Sequence, residues 1–77
     1  MVVAGVLINC APGKTKSVVD EIRKMPGIIS VQAVFGRFDA VAMLKASDLD
    51  EAANTIVTKI RKIDGVTNTE TLIGANI

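Results

Sequence analysis

The sequence predicts a small α+β domain whose elements run βαββαβ, and three observations predict it. Four apolar, β-branched segments are separated by turn residues. Two intervening segments carry apolar residues at helical spacing with charges elsewhere. The chain also echoes itself: Ile22-Arg23-Lys24-Met25-Pro26-Gly27-Ile28 returns 38 residues later as Ile60-Arg61-Lys62-Ile63-Asp64-Gly65-Val66. The same offset aligns Val18 with Ile56, Val19 with Val57, and Val2-Val3-Ala4 with Ala40-Val41-Ala42. Two similar strand–helix–strand halves are therefore expected.

The first strand is Val2 to Cys10, stopped by the turn residues Ala11-Pro12-Gly13. Lys14 to Met25 places Val18, Ile22 and Met25 on one side of a helix, with Asp20, Glu21, Arg23 and Lys24 elsewhere. Pro26-Gly27 ends it, because a residue before proline avoids the helical region and glycine accepts a left-handed cap. Ile28 to Phe35 reads as the second strand, with Ile29, Val31, Ala33 and Phe35 on one face. Gly36-Arg37-Phe38-Asp39 is a tight reversal into the third strand, Ala40 to Ala46. Ser47 or Asp48 caps the second helix, and Asp50 and Glu51 suit the positive end of its dipole. Leu49, Ala52, Ala53, Ile56, Ile60 and Ile63 form its apolar stripe, and Lys59, Arg61 and Lys62 fill its last turn. Val66 to about Ile73 is the last strand.

Two right-handed split βαβ units joined by a hairpin give a ferredoxin-like, four-stranded antiparallel sheet with both helices on one face. The other face should then alternate with polar residues. Instead, the first strand is apolar on both faces, with Val2, Ala4, Val6 and Ile8 on one and Val3, Gly5 and Leu7 on the other. The third sets Ala40, Ala42 and Leu44 against Val41 and Met43. In the common strand order these two strands are central. The helix-free face is expected to be covered by a second copy, sheet against sheet.

Composition supports that expectation. A chain of 77 residues is one domain, 1–77, near the lower size limit for an adequate core. It is 49% hydrophobic and has one cysteine and no histidine, so neither a disulfide nor an ordinary zinc set can staple it. Oligomerisation is the remaining way to stabilise it. A net charge of +1 and two aromatic residues argue against direct nucleic-acid binding. No apolar run spans a membrane and no basic leader precedes one. A lone thiol suits a reducing cytoplasm.

Catalysis has few groups to work with. Without His or Tyr, proton transfer falls to Asp, Glu, Lys or Cys10. Cys10 has no base to activate it and reads as a structural thiol. Gly13-Lys14-Thr15 resembles the end of a phosphate loop, but Ile8 stands where its first glycine would. The turn Gly36-Arg37-Phe38-Asp39 offers more. Asp39 can accept from an ammonium group, and unpaired backbone N–H groups can hold a carboxylate. An ordinary hairpin would have the same residues. Thr67, Thr69 and Thr71 on one face of the last strand suit either a strand or a polar pocket at a subunit border.

The chain resembles the effector-binding (RAM) domain of the Lrp/AsnC family of transcriptional regulators. The resemblance covers essentially the whole chain. It rests on Pro12-Gly13-Lys14, on Ile22 to Ile28, on Val34-Phe35-Gly36-Arg37-Phe38-Asp39, and on Ile63-Asp64-Gly65-Val66 followed by Thr69-Glu70-Thr71-Leu72-Ile73. It implies dimers formed by facing sheets, assembly into a higher oligomer such as an octamer, and a small effector, an amino acid or related metabolite, held between dimers. It implies that Gly36 and Asp39 hold the effector's backbone groups, with Arg37 and Phe38 in the same turn. Thr69, Thr71, Leu72 and Ile73 would line the last strand's share of the pocket. Phe38 stands where the family often has tyrosine. Residue 1 begins the first strand, so a stand-alone form without the DNA-binding domain is expected, modulating transcription or amino-acid metabolism indirectly by changing its own assembly or that of a full-length relative. No cofactor, metal or enzymatic activity is expected. The alternatives are a cofactor-free α+β barrel monooxygenase or isomerase, and a ligand-free structural oligomer.

Overall fold

A computed structural model describes residues 1–74. Its elements are β1 (Val2–Cys10), α1 (Thr15–Arg23), β2 (Ile28–Ala33), β3 (Ala40–Ala46), α2 (Leu49–Thr55) continued by a π turn (Ile56–Ile60), and β4 (Val66–Ile73). The antiparallel sheet has the order β2-β3-β1-β4, so β1 and β3 are central as expected.

The core lies between one sheet face and the helices. Ala4, Val6 and Ile8 of β1 and Ala40, Ala42 and Leu44 of β3 are fully or almost fully buried there. Val18 and Ile22 of α1, Ala52 of α2 and Ile60 are buried against them. The sheet supplies mostly small side chains, which lets the helices approach and fill the layer with Ile and Val. Asp48 is the cap of α2: its carboxylate accepts from the Glu51 N–H at 2.8 Å, while the Ser47 hydroxyl donates to the Glu51 carboxylate. The π turn has a reason in the spacing. Ala52, Ile56 and Ile60 recur every four residues, which overshoots an α-helical turn by roughly 40° per step. A wider turn, closed by the Arg61 N–H donating to the Ile56 carbonyl at 2.9 Å, returns Ile60 to the core.

Three local expectations change. β2 ends at Ala33, so Phe35 is fully exposed in the connection. A bulge between Ile28 and Ser30 leaves Ile29 as the extra residue, which removes it from the face it was expected to share with Val31 and Ala33. A second bulge, where Asn9 and Cys10 meet Asn68 and Val66, does the same to Thr67. Its hydroxyl donates to the Asn9 carbonyl at 3.1 Å, apart from Thr69 and Thr71.

The internal repeat is real from helix to second strand, where the offset of 38 places Ile22 and Ile60 in equivalent core positions. The match of the two first strands at that offset does not hold. Val31 lies opposite Ala42, and its counterpart Thr69 lies opposite Ile8, so β1 and β3 are equivalent at an offset of 34. The difference of four residues is one helical turn, the additional first turn of α2 beginning at Leu49.

The helix-to-strand junction at Gly65 is tight. Its φ is +102°, and a Cβ there would lie 2.7 Å from the Lys14 Cβ. Gly65→Ala is expected to cost about 2 kcal/mol through combined backbone strain and overpacking. A lowered urea midpoint measures it, and an unchanged midpoint would mean the junction relaxes.

Candidate functional site

The residues expected to bind an effector occupy two places. The first is the connection from Val34 to Asp39, longer than the tight reversal expected from Gly36-Arg37-Phe38-Asp39. Gly36 has a φ of +135°, which side chains rarely adopt. The Val34 N–H donates to the Asp39 carbonyl at 2.9 Å, and the Asp39 N–H donates to the Ile8 carbonyl at 2.9 Å. The Asp39 carboxylate accepts from the Cys10 N–H at 2.7 Å through Oδ2. Asp39 is thus fastened to the end of β1, and Oδ1 has no hydrogen-bond partner among the described residues. A carboxylate holds several acceptor positions, so this group can still receive a donor. Arg37 is exposed and Phe38 half-buried beside it.

Cys10 sits at the same end. Burial pushes its thiol pKa up, the nearby Asp39 charge adds to that, and a hydrogen bond with Thr15 works against both. A thiol held protonated in this way makes a poor nucleophile.

The second place is β4. Thr69, Thr71 and Ile73 lie opposite Ile8, Val6 and Ala4, on the helix side of the sheet. They form one wall of a groove of about 240 Å³ under the edge strand. Leu49, Ala53, Ile56 and Val57 form the facing wall, and Arg61 is the charged residue among the described lining. Leu72 lies opposite Gly5 and belongs to the other face, where it is half-exposed. Within one chain the two places are apart: β1 separates them, and none of Gly36 to Asp39 lines the groove.

From sequence, Arg61 reads only as helix charge, Leu49 as part of the helix stripe, and Val57 as the repeat counterpart of Val19. Comparing the two halves could have singled them out, since Asp20 beside Arg23 is replaced by Thr58 beside Arg61.

The helix-free face carries Val3, Leu7, Val41 and Met43 around Gly5, with Leu72 next to them. Ser30, Gln32, Lys45 and Glu70 border this patch. An apolar centre with a polar rim is the anatomy of a subunit interface. Among the described residues no three His, Cys, Asp or Glu side chains cluster as metal ligands. No described helix is long and apolar enough to cross a membrane.

The family model described as "Lrp/AsnC ligand binding domain" matches residues 3–75. An uncharacterised HTH-type transcriptional regulator of Pyrococcus horikoshii, PH0140, is 36% identical over 72 residues, covering 94% of this chain and 46% of its own length. The chain thus spans about half the length of the curated relatives it matches. The crystal structure of TTHA0845 from Thermus thermophilus is similar at a TM-score of 0.94 and 28% identity, over 100% of this chain and 96% of that one. The complex of the transcriptional regulator NMB0573 with L-Met, from Neisseria meningitidis, shares the fold at a TM-score of 0.87 and 14% identity. That likeness covers 97% of this chain and 50% of the other.

Proposed function

Because this chain belongs to the Lrp/AsnC ligand-binding domain family, we propose that it binds a small amino acid or related metabolite where subunits meet and responds by changing its assembly. The observation that carries this reading is the separation of the two candidate places within one chain. Gly36 to Asp39 and Thr69 to Ile73 lie on either side of β1, so a pocket using both draws them from different copies. The apolar helix-free face supports the first step of assembly, a dimer of facing sheets, with dimers associating further into a ring such as an octamer. Oδ1 of Asp39 would take the ammonium group of the effector, and N–H groups of the Gly36 turn its carboxylate. Arg37 and Phe38 would border it, with Thr69, Thr71 and Ile73 on the last strand's side, while Leu72 faces the other way. A neighbour that shares the fold over half its own length was solved as a complex with L-Met, which supports an amino acid as the ligand class. The domain would act on transcription indirectly, through association with a DNA-binding relative, and without a cofactor or catalysis.

A ligand that needs the assembled site stabilises the assembly, because binding and association share one free energy. At about a hundred times its dissociation constant, a ligand adds about 2.7 kcal/mol. A screen of the twenty amino acids by thermal shift and light scattering is expected to find one that raises the melting temperature or shifts the mass. Asp39→Asn should abolish that response. A screen in which no amino acid moves either readout would leave the ligand-free oligomer as the better reading.

A further inference from the structure

Both halves of the fold carry a bulge at the same place in the repeat. Ile29 is the extra residue where β2 meets β3, and Thr67, its counterpart at the offset of 38, is the extra residue where β4 meets β1. The facing strands are equivalent too, since Met43 and Leu44 of β3 match Asn9 and Cys10 of β1 at the offset of 34. An isoleucine forms the first bulge, so the bulge does not require a hydroxyl. Thr67 nevertheless carries one, and it donates to the Asn9 carbonyl at 3.1 Å. The halves differ again on the far side of that peptide. Leu44 lies opposite Ala4 of β1, within the sheet. Cys10 lies beyond the start of β3, whose first residue, Ala40, is opposite Ile8. There the Asp39 carboxylate stands in for a strand and accepts the Cys10 N–H at 2.7 Å.

We propose that Thr67 is a positioning residue for the Asp39 carboxylate, acting through the Asn9–Cys10 peptide group; the proposal rests on Asp39 taking the effector's ammonium group. The C=O and N–H of a trans peptide point opposite ways, so this one group spans β1 from the β4 side to the β3 side. Thr67 holds its oxygen and Asp39 its hydrogen. A hydrogen bond accepted by a peptide carbonyl polarises the group and strengthens the bond that its N–H donates. That donated bond ends on a charged oxygen, where it is shorter and stronger than a neutral one. Holding Oδ2 fixes the plane of the carboxylate, and with it the direction in which Oδ1 meets a ligand. Asp39 is held at a second point by its own N–H, which donates to the Ile8 carbonyl at 2.9 Å. The Thr67 hydroxyl is exposed, so water competes for the Asn9 carbonyl and the effect is a few-fold, not orders of magnitude.

The test compares Thr67→Val, which keeps the shape and the strand preference but removes the hydroxyl, with Thr67→Ser, which keeps the hydroxyl. It first reads the Cys10 amide of the ¹⁵N-labelled full chain without ligand. Thr67→Val is expected to move the Cys10 amide proton upfield and to speed its exchange with solvent about threefold, the loss of one modest hydrogen bond. Thr67→Ser should keep both near native values. Asp39→Asn should move the same proton further upfield, because a neutral amide oxygen accepts more weakly than a carboxylate. The amides of Val18 and Ile22 should exchange at native rates in both Thr67 variants, which separates a local effect from a general loss of stability. An equimolar mixture of the twenty amino acids is then added. Thr67→Val should need about threefold more of it than the native chain for the same thermal shift, and Thr67→Ser the native amount. The proposal is overturned if Thr67→Val leaves the Cys10 amide unchanged, if Thr67→Ser behaves as Thr67→Val does, or if the Val18 and Ile22 amides accelerate by the same factor. A mixture that leaves the native chain unmoved overturns the effector reading and the positioning role with it. An unchanged amide beside a responsive native chain overturns the positioning role alone.

Discussion

Met43→Glu is expected to leave the domain folded and make it monomeric. Met43 lies opposite Gly5 on the helix-free face, its Sδ 3.4 Å from where a Gly5 Cβ would be. In a lone chain this face meets water, and a glutamate there stays hydrated. In a dimer of facing sheets the carboxylate would lie in the apolar centre, with Lys45 at the rim as the nearby cation, and symmetry would place two carboxylates there. An uncompensated buried charge costs about 3–5 kcal/mol, which weakens the dimer by roughly two to four powers of ten. Light scattering at fixed concentration should give the monomer mass, while circular dichroism retains the native spectrum. Gln32→Glu, on the rim of the same face, is the control and should keep the native assembly. If Met43→Glu keeps the native mass, the sheets do not pair through this face.

Ile22→Ala is the largest stability effect expected. Ile22 is fully buried between α1 and the sheet, so truncation loses transfer energy and leaves a cavity. The expected cost is about 3 kcal/mol, which for a domain of this size lowers the melting temperature by roughly 15 °C. Ile60→Ala removes the equivalent side chain of the second half, also fully buried, and should cost as much. A clear difference between the two would show that the π turn absorbs a cavity that α1 cannot. A small effect of both would mean the helices contribute little to the core.

Much of the fold is legible in the sequence. Pro26-Gly27 bars the first helix from running on through properties carried by those residues alone, and α1 ends just before them, at Arg23. The apolar character of both faces of the central strands is likewise visible in the sequence, since alternation is local to one strand. The candidate site was less legible. Asp39 is flagged by its chemistry, but its bond to the Cys10 N–H joins residues 29 apart in sequence. Leu72 was grouped with Thr71 and Ile73, although neighbours on a strand face opposite ways and only the pairing with Gly5 says which side is which. Arg61 looks like any basic residue near a helix end. Its lack of a carboxylate within 4 Å among the described residues emerges only beside Arg23, once Val31 and Thr69 are known to be equivalent.

Element identity and order follow from side-chain period, turn residues and caps, all of which act over a few neighbours. Tertiary structure decided the register: the bulges that set Ile29 and Thr67 aside, the four-residue difference between the two first strands, and the groove under β4. Those depend on how segments far apart in sequence pair and pack. A one-residue slip in that pairing reverses the face of every side chain beyond it.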